Sequence, residues 1–396
     1  MIYQLPQMLR EQGGMCMGKS IEQINKKIRA GKAVVVTAEE VSRMAEAMSA
    51  SEISQKVDVV TTATFGPMCS SGAFLNFGHY SPPIRMEEIT LNDVPVSGGL
   101  AAVDTYIGAT SESHFDHTYG GAHVIEELIA GKDIRLKARA KGTDCYPTKE
   151  VETLVNKDDV NEFYLFNPRN AYQNYPAALN TRSHTIYTYM GVLLPDMGNV
   201  NYSTSGELSP LLNDPQMRTI GIGTRIFLGG AQGYVAWNGT QFNTMKPRNE
   251  YGIPTSNAAT LAVIGDAKQM RAEYIKAAYF ERYGVSIFIG IGIPIPMIDE
   301  QAASDCMIRN AQITTQISDY SKPDKPSLSQ VTYEQLRSGT VEIQGRRIKT
   351  APMSSLLKAR RIAGELKKQI EDGEFFLTSP VSHFPEKAEV KPLKQR

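Results

Sequence analysis

Short β-branched runs alternate with glycine- and proline-marked turns along most of this chain, and a few stretches carry helical spacing instead. Ile21, Ile24 and Ile28 share one helical face, and Gly31 is placed to cap that helix. Residues 33–36 predict a short buried strand. Thr37 and Glu40 then form a capping box that opens a helix toward Met48. The run Val57 to Thr62 predicts a strand that breaks at the turn dipeptide Gly66-Pro67. Further on, His123 to Ala130 reads as a short helix ended by Gly131. Ile134 to Lys141 alternates strictly, with Ile134, Leu136, Ala138 and Ala140 facing inward and Arg135, Lys137, Arg139 and Lys141 outward. Phe163 to Phe166 is another short strand. Ser203 to Pro215 is a loop, and Val285 to Pro296 is a buried strand with a proline stop.

Near the C-terminus, Ser321 to Ser329 reads as a linker and Val341 to Ile348 as a hairpin around Gly345. Leu356, Ala359, Ile362, Ala363, Leu366 and Ile370 mark the face of a helix capped by Gly373. The pattern predicts a mixed α/β fold of many short strands, helices and glycine-rich loops, as one large domain or two lobes. Its expected parts are a tail over 1–20, a body over 21–320, and over 321–396 a linker, hairpin and helix packing back on the body.

Composition narrows the function classes. The chain has 396 residues, 41% of them hydrophobic, enough for a large core. Lysine plus arginine and aspartate plus glutamate number 42 each, which gives no electrostatic case for nucleic acid or an anionic membrane. No apolar run approaches a bilayer span, and no secretion signal opens the chain. Met15 and Met17 are each plausible starts. Four cysteines, none in C-x-x-C, make no disulfide framework, so the expected setting is a reducing cytoplasm.

Candidate chemistry centres on Cys69, which follows the Val57 strand and is flanked by Ser70, Ser71 and Gly72. A thiol there is held by a scaffold, and small neighbours leave backbone N–H groups open to an anion. The alternative is a small buried hydrophobe. Cys145, in Gly142-Thr-Asp-Cys-Tyr-Pro147, also follows a strand and a glycine turn. The basic row before it reads as a solvated face rather than an electrostatic device for that thiol. Cys306 reads as a packing residue, and Cys16 has no assigned role. His114, His117 and His123 cluster beside Glu112 and Asp116, but without H-E-x-x-H and among glycines. Hydrogen bonding or substrate contact is the preferred reading there over metal. Residues 169–190, rich in Tyr, Asn and His, suit either a small-molecule site wall or an ordinary surface connection. The glycines of Thr219 to Gly230 permit close approach of a ligand, without the spacing of a nucleotide loop.

Three blocks together, Val57 to Tyr80, Gly142 to Pro147 and Gly221 to Ala231, resemble the homocysteine biosynthesis family, over about Ile21 to Pro380. The characterised activity of that family is L-aspartate semialdehyde sulfurtransferase, and its two functional cysteines fall on Cys69 and Cys145. The resemblance implies a persulfide and disulfide relay that turns L-aspartate semialdehyde into L-homocysteine. Cys69 would carry the persulfide and Cys145 would resolve it. An aldehyde that becomes a thiol-bearing methylene is reduced, so electrons must come from outside. No cofactor or metal is expected in this chain. Its expected partners are a sulfide or persulfide donor and a separate ferredoxin-like iron–sulfur protein, since no CBS pair or ferredoxin cysteine spacing is evident. A homo-oligomer stays open. For the substrate's carboxylate the candidates are Arg225, Arg182 and Arg169. His79 is the candidate acid or base on the carbonyl oxygen. The competing readings are a non-catalytic persulfide carrier or scaffold, and an acyltransferase that would leave Cys145 idle. Both cysteine loops and the glycine-rich block are expected on one side of the body.

Overall fold

The structure is a computed structural model and describes residues 18–98 and 100–394; Cys16, Met15 and Met17 lie outside them. The first helix, Ile21–Arg29, opens on a capping box between Ser20 and Gln23, buries Ile24 and Ile28, and ends before Gly31 at φ 62°. Thr37 and Glu40 cap Ala38–Met44. A third capping box, Ser49 with Glu52, starts a separate helix, Ala50–Lys56, where the sequence pattern suggested one helix alone.

A mixed sheet of 14 strands organises the molecule. Its first nine strands are β1 (Val35–Thr37), β2 (Val59–Pro67), β3 (Gly72–Asn76), β4 (Glu88–Leu91), β5 (Val94–Ser97), β6 (Asp104–Gly108), β7 (Ile134–Arg139), β8 (Glu150–Val155) and β9 (Glu162–Asn170). Toward one edge, next to β1, β2 pairs antiparallel with the strand Gly284–Pro296 in unbroken register, from Pro67 opposite Phe288 to Val59 opposite Pro296. One expectation is corrected here. Strand β2 does not break at Gly66-Pro67. Gly66 serves close packing instead, because a Cβ there would meet Ser354 Oγ at 2.8 Å. The long strand ends at Pro296, as expected, and because its pairing beyond Gly292 is with β2 alone, Pro294 interrupts no second ladder. At the entry to β2 the buried Asp58 carboxylate takes Lys19, Lys27 and the Val34 N–H, which ties the first helix to the sheet.

A second sheet of six strands joins Ala177–Leu179, Asn199–Tyr202 and Thr314–Asp319 to three strands from the C-terminal part of the chain. Residues 321–329, expected as a linker, are a compact turn running into the strand Ser327–Thr332. The expected hairpin is Thr340–Ile343 with Arg346–Pro352, turning at Gln344 (φ 52°) and Gly345 (φ 74°).

The helix Leu356–Glu371 lies across β2 and Gly284–Pro296 and buries Ala359, Ile362, Ala363, Leu366 and Ile370. Glycines at 290 and 292 make that contact. A Cβ would come within 2.7 Å of Ile362 Cδ1 at position 290 and 3.1 Å of Ile362 Cγ2 at position 292. Ile362→Ala is expected to lower stability by about 2–5 kcal/mol through the cavity it leaves. Gly292→Val should lower it by about 1–3 kcal/mol through overpacking. Urea unfolding measures both, and an unchanged midpoint would remove this helix from the core.

Candidate active site

The turn that presents Cys69 is built by its neighbours. Met68 N–H donates to Ile287 O at 2.7 Å, and Ser71 donates to Met68 O through both its N–H (3.0 Å) and its Oγ (2.6 Å). The Ser71 amide is therefore not open to an anion, as the small residues had suggested. What faces the half-buried Cys69 Sγ is the Ser286 hydroxyl at 3.1 Å. The Tyr283 hydroxyl is also close: burial pushes it up to about 12, and negative charge at Cys69 adds to the rise. Both partners belong to the strand paired with β2 or to the hairpin tip leading into it.

Cys69 opens into a cavity of about 830 Å³ between the two sheets. One wall comes from residues 169–190, with Arg169, Tyr172, Tyr175 and Tyr189. Next to Tyr189 the lining continues with Tyr320 and, from the region read as a linker, Asp324 and Lys325. The polar and aromatic character of 169–190 thus marks a site wall, whereas the loop of Lys325 gave no sequence signal beyond its prolines. The Tyr189 hydroxyl is 3.2 Å from each of the Tyr175 and Tyr320 hydroxyls, and Lys325 Nζ donates to it at 2.9 Å. The same ammonium lies over the Tyr189 and Tyr320 rings, 4.9 and 4.5 Å from their centroids. Burial alone would raise Tyr189, but Lys325 and the two hydroxyls hold it below the ordinary tyrosine value. Burial drives Tyr175 and Tyr320 upward.

Of the three candidate arginines only Arg169 reaches this cavity; its Nε donates to Thr240 Oγ1 at 2.9 Å. Arg182 is exposed, in a turn held by the Asn180 side chain. Arg225 lies on the strand Arg225–Leu228, its backbone N–H on Thr378 Oγ1 and its buried Nε without a partner. The glycine-rich block is not a ligand loop. Gly221 and Gly223 fit against Pro380, Val381 and Ser382, and Gly229 and Gly230 against Met270, Arg271 and Tyr274, so the glycines form a packing seam.

Cys145 is exposed in the β7–β8 turn, with Thr143 Oγ1 3.6 Å from its sulfur. His79 accompanies this thiol: its ring stacks on Tyr146 at 6.2 Å, and Thr148 Oγ1 donates to Pro82 O at 2.7 Å. The expectation that both cysteine loops lie on one side is not met, for a topological reason. Four antiparallel steps, β3 to β6, β5, β4 and β7, bring the chain back to its starting direction. Cys145 follows the exit of β7, level with the exit of β3, while Cys69 precedes the entry of β3. The basic row on β7 is an ion-paired face, with Arg135 on Asp93, Arg139 on Glu150 and Lys137 near Asp93 and Glu152.

Cys306 is fully buried; its thiol donates to Asn213 O at 3.4 Å, and burial pushes it up. His123 accepts from Gly120 N–H at 3.2 Å and stacks on Tyr119, and His117 packs edge-on to Tyr279. Among the described residues no three His, Cys, Asp or Glu side chains gather where they could hold a metal ion. No helix there is long and apolar enough to cross a membrane.

The site is thus a recessed thiol on an α/β scaffold, open to a cavity of tyrosines, cations and a carboxylate. The homocysteine biosynthesis enzyme, sulfur-incorporation family matches over residues 33–377, and the chain belongs to that family. L-aspartate semialdehyde sulfurtransferase of Methanosarcina acetivorans is 47% identical over 380 residues, covering 95% of this chain and 74% of its own. The protein of the same name from Methanocaldococcus jannaschii is 49% identical over 394 residues, covering 95% and 75%. An uncharacterized protein of Methanothermobacter thermautotrophicus is 28% identical over 341 residues, covering 83% and 74%. No solved structure matches.

Exposure orders the thiols. With iodoacetamide on the native protein, Cys145 should label fastest, Cys69 more slowly, and Cys306 only on unfolding, as read by peptide mass spectrometry. Native labelling of Cys306 would contradict its buried position.

Proposed function

We propose that this chain is an L-aspartate semialdehyde sulfurtransferase, which makes L-homocysteine with Cys69 as the sulfur-bearing thiol. The observation that carries the reading is the opening of Cys69 into a cavity lined by Arg169 and Asp324. A guanidinium suits the substrate's α-carboxylate and a carboxylate its ammonium. The relatives' printed activity supports the same substrate. In the reaction the aldehyde oxygen leaves as water and sulfur takes its place. Starting from sulfide, aldehyde plus hydrogen sulfide plus two electrons and two protons gives thiol plus water. Starting from a persulfide on Cys69, sulfane sulfur is reduced as well and four electrons are needed. A Cys69–Cys145 dithiol can give two electrons by forming a disulfide and must then be reduced again, so a separate reductant of the ferredoxin-like iron–sulfur class is part of the proposal.

Cys145 is the exposed second thiol, open to an external donor. A direct Cys69–Cys145 disulfide requires Cα atoms within about 7 Å. That step needs a rearrangement which brings together two loops now at opposite strand ends. A pure carrier would have to hand sulfur from Cys69 to another macromolecule, and the recessed position of that thiol favours a small acceptor instead.

The purified chain with aspartate semialdehyde, sulfide or polysulfide, and a chemical reductant should form homocysteine. Cys69→Ser should abolish formation and Cys306→Ser should retain it. Cys145→Ser should stop turnover with the relay's donor yet leave a Cys69 adduct of about 32 Da, one sulfur atom on the oxidation ladder. Full activity in Cys69→Ser would refute the proposal.

A further inference from the structure

Sulfur addition to an aldehyde places negative charge on the carbonyl oxygen, so the step needs a proton donor beside the thiol. His79, the candidate from sequence, sits with Cys145 at the other strand end, and among the described residues no histidine lines the Cys69 cavity. Tyrosines and lysines remain. Two cavity tyrosines have a cation at the hydroxyl, Tyr172 from Arg169 and Tyr189 from Lys325 at 2.9 Å, and Arg169 is already assigned to the substrate's carboxylate. Its ring stands 6.0 Å from that of Tyr283, whose hydroxyl neighbours Cys69.

We propose that Tyr189, with Lys325 bound to its hydroxyl, donates the proton to the substrate's carbonyl oxygen as Cys69-bound sulfur adds to the carbonyl carbon. This assignment rests on the reaction proposed above. In the step a sulfur lone pair forms the S–C bond and the C=O π pair moves to oxygen, which takes the Tyr189 proton. No electron is gained or lost. The phenolate left behind is held by the Lys325 ammonium and the Tyr175 hydroxyl, which both donate to Tyr189; Tyr320, which accepts the Tyr189 proton at 3.2 Å before substrate takes it, can then turn its own O–H toward the phenolate, and a proton returns from solvent through the open cavity. The titratable and charged groups that share the cavity with Tyr189 are Arg169 at the end of β9, Tyr172 and Tyr175 after it, Tyr283 at the hairpin tip, Cys69, Lys246, and Tyr320, Asp324 and Lys325 in the loop after Thr314–Asp319. Lys325 is the cation among them that bonds the hydroxyl, which fits the downward displacement of Tyr189.

The test is Tyr189→Phe in the full chain. It removes one oxygen and leaves the ring packing in place. The expected result is a loss of about 10²–10⁴-fold in kcat, the range for a general acid. KM for the semialdehyde should change little, and polysulfide should load Cys69 as in the unaltered protein. A tyrosinate absorbance titrating below the ordinary tyrosine range should disappear. In Lys325→Met that titration should move upward and kcat should fall, with Lys325→Arg restoring most of both. An unchanged kcat in Tyr189→Phe overturns the assignment. So does a loss that comes with failed Cys69 loading, since that would mark a structural role. If the unaltered protein forms no homocysteine, the reaction itself is refuted and this assignment with it; turnover by that protein and by Tyr189→Phe alike refutes this assignment alone.

Discussion

Everything at the site depends on the antiparallel pairing of β2 with Gly284–Pro296. The pairing joins residues more than two hundred positions apart and is nearly buried throughout. It holds β2 straight to Pro67, places Ser286 under the thiol and fixes the hairpin that carries Tyr283. Its other face receives the C-terminal helix through Gly290 and Gly292, and Thr61 Oγ1 donates to Ala363 O at 2.9 Å across that seam. The second sheet is attached through the same strand: Ser354 Oγ packs against Gly66 and lies 3.2 Å from both the Thr204 N–H and Ser203 Oγ.

Two thiols on one chain receive opposite treatment. Cys69 is recessed, hydrogen-bonded and surrounded by tyrosines, which limits what can reach it and where a bound molecule can point. Cys145 stands on a hairpin turn at the opposite strand end, near an imidazole and in water. Small-molecule chemistry suits the first setting and exchange with an external partner the second.

Much of the fold was legible because local signals were strong and agreed with tertiary packing. The capping boxes, the alternation of Ile134 to Arg139 and the apolar face of Leu356–Glu371 all appear as expected. Thiol position was legible as well, since a strand exit is a local property. What stayed hidden was pairing at long range. Gly66-Pro67 looks like a break until its strand partner is known. The glycine-rich block looks like a ligand loop until residues 380–382 are seen against it. Lys325 sits in a Pro-Asp-Lys-Pro setting that suggests an unstructured connection, and only the fold brings it to Tyr189.

Because the cavity takes its walls from residues 67 to 325, no early-formed portion of the chain contains it. Loop closures of that span are entropically slow and come after local helices and hairpins. During folding, then, Cys69 passes first through a stage in which it is an ordinary solvated thiol. It acquires its hydroxyl partners and its neighbouring tyrosines only when the last strands of both sheets are in place. Reactivity toward a bound aldehyde is in this sense a late event in the life of each molecule, timed by the slowest contact in the fold.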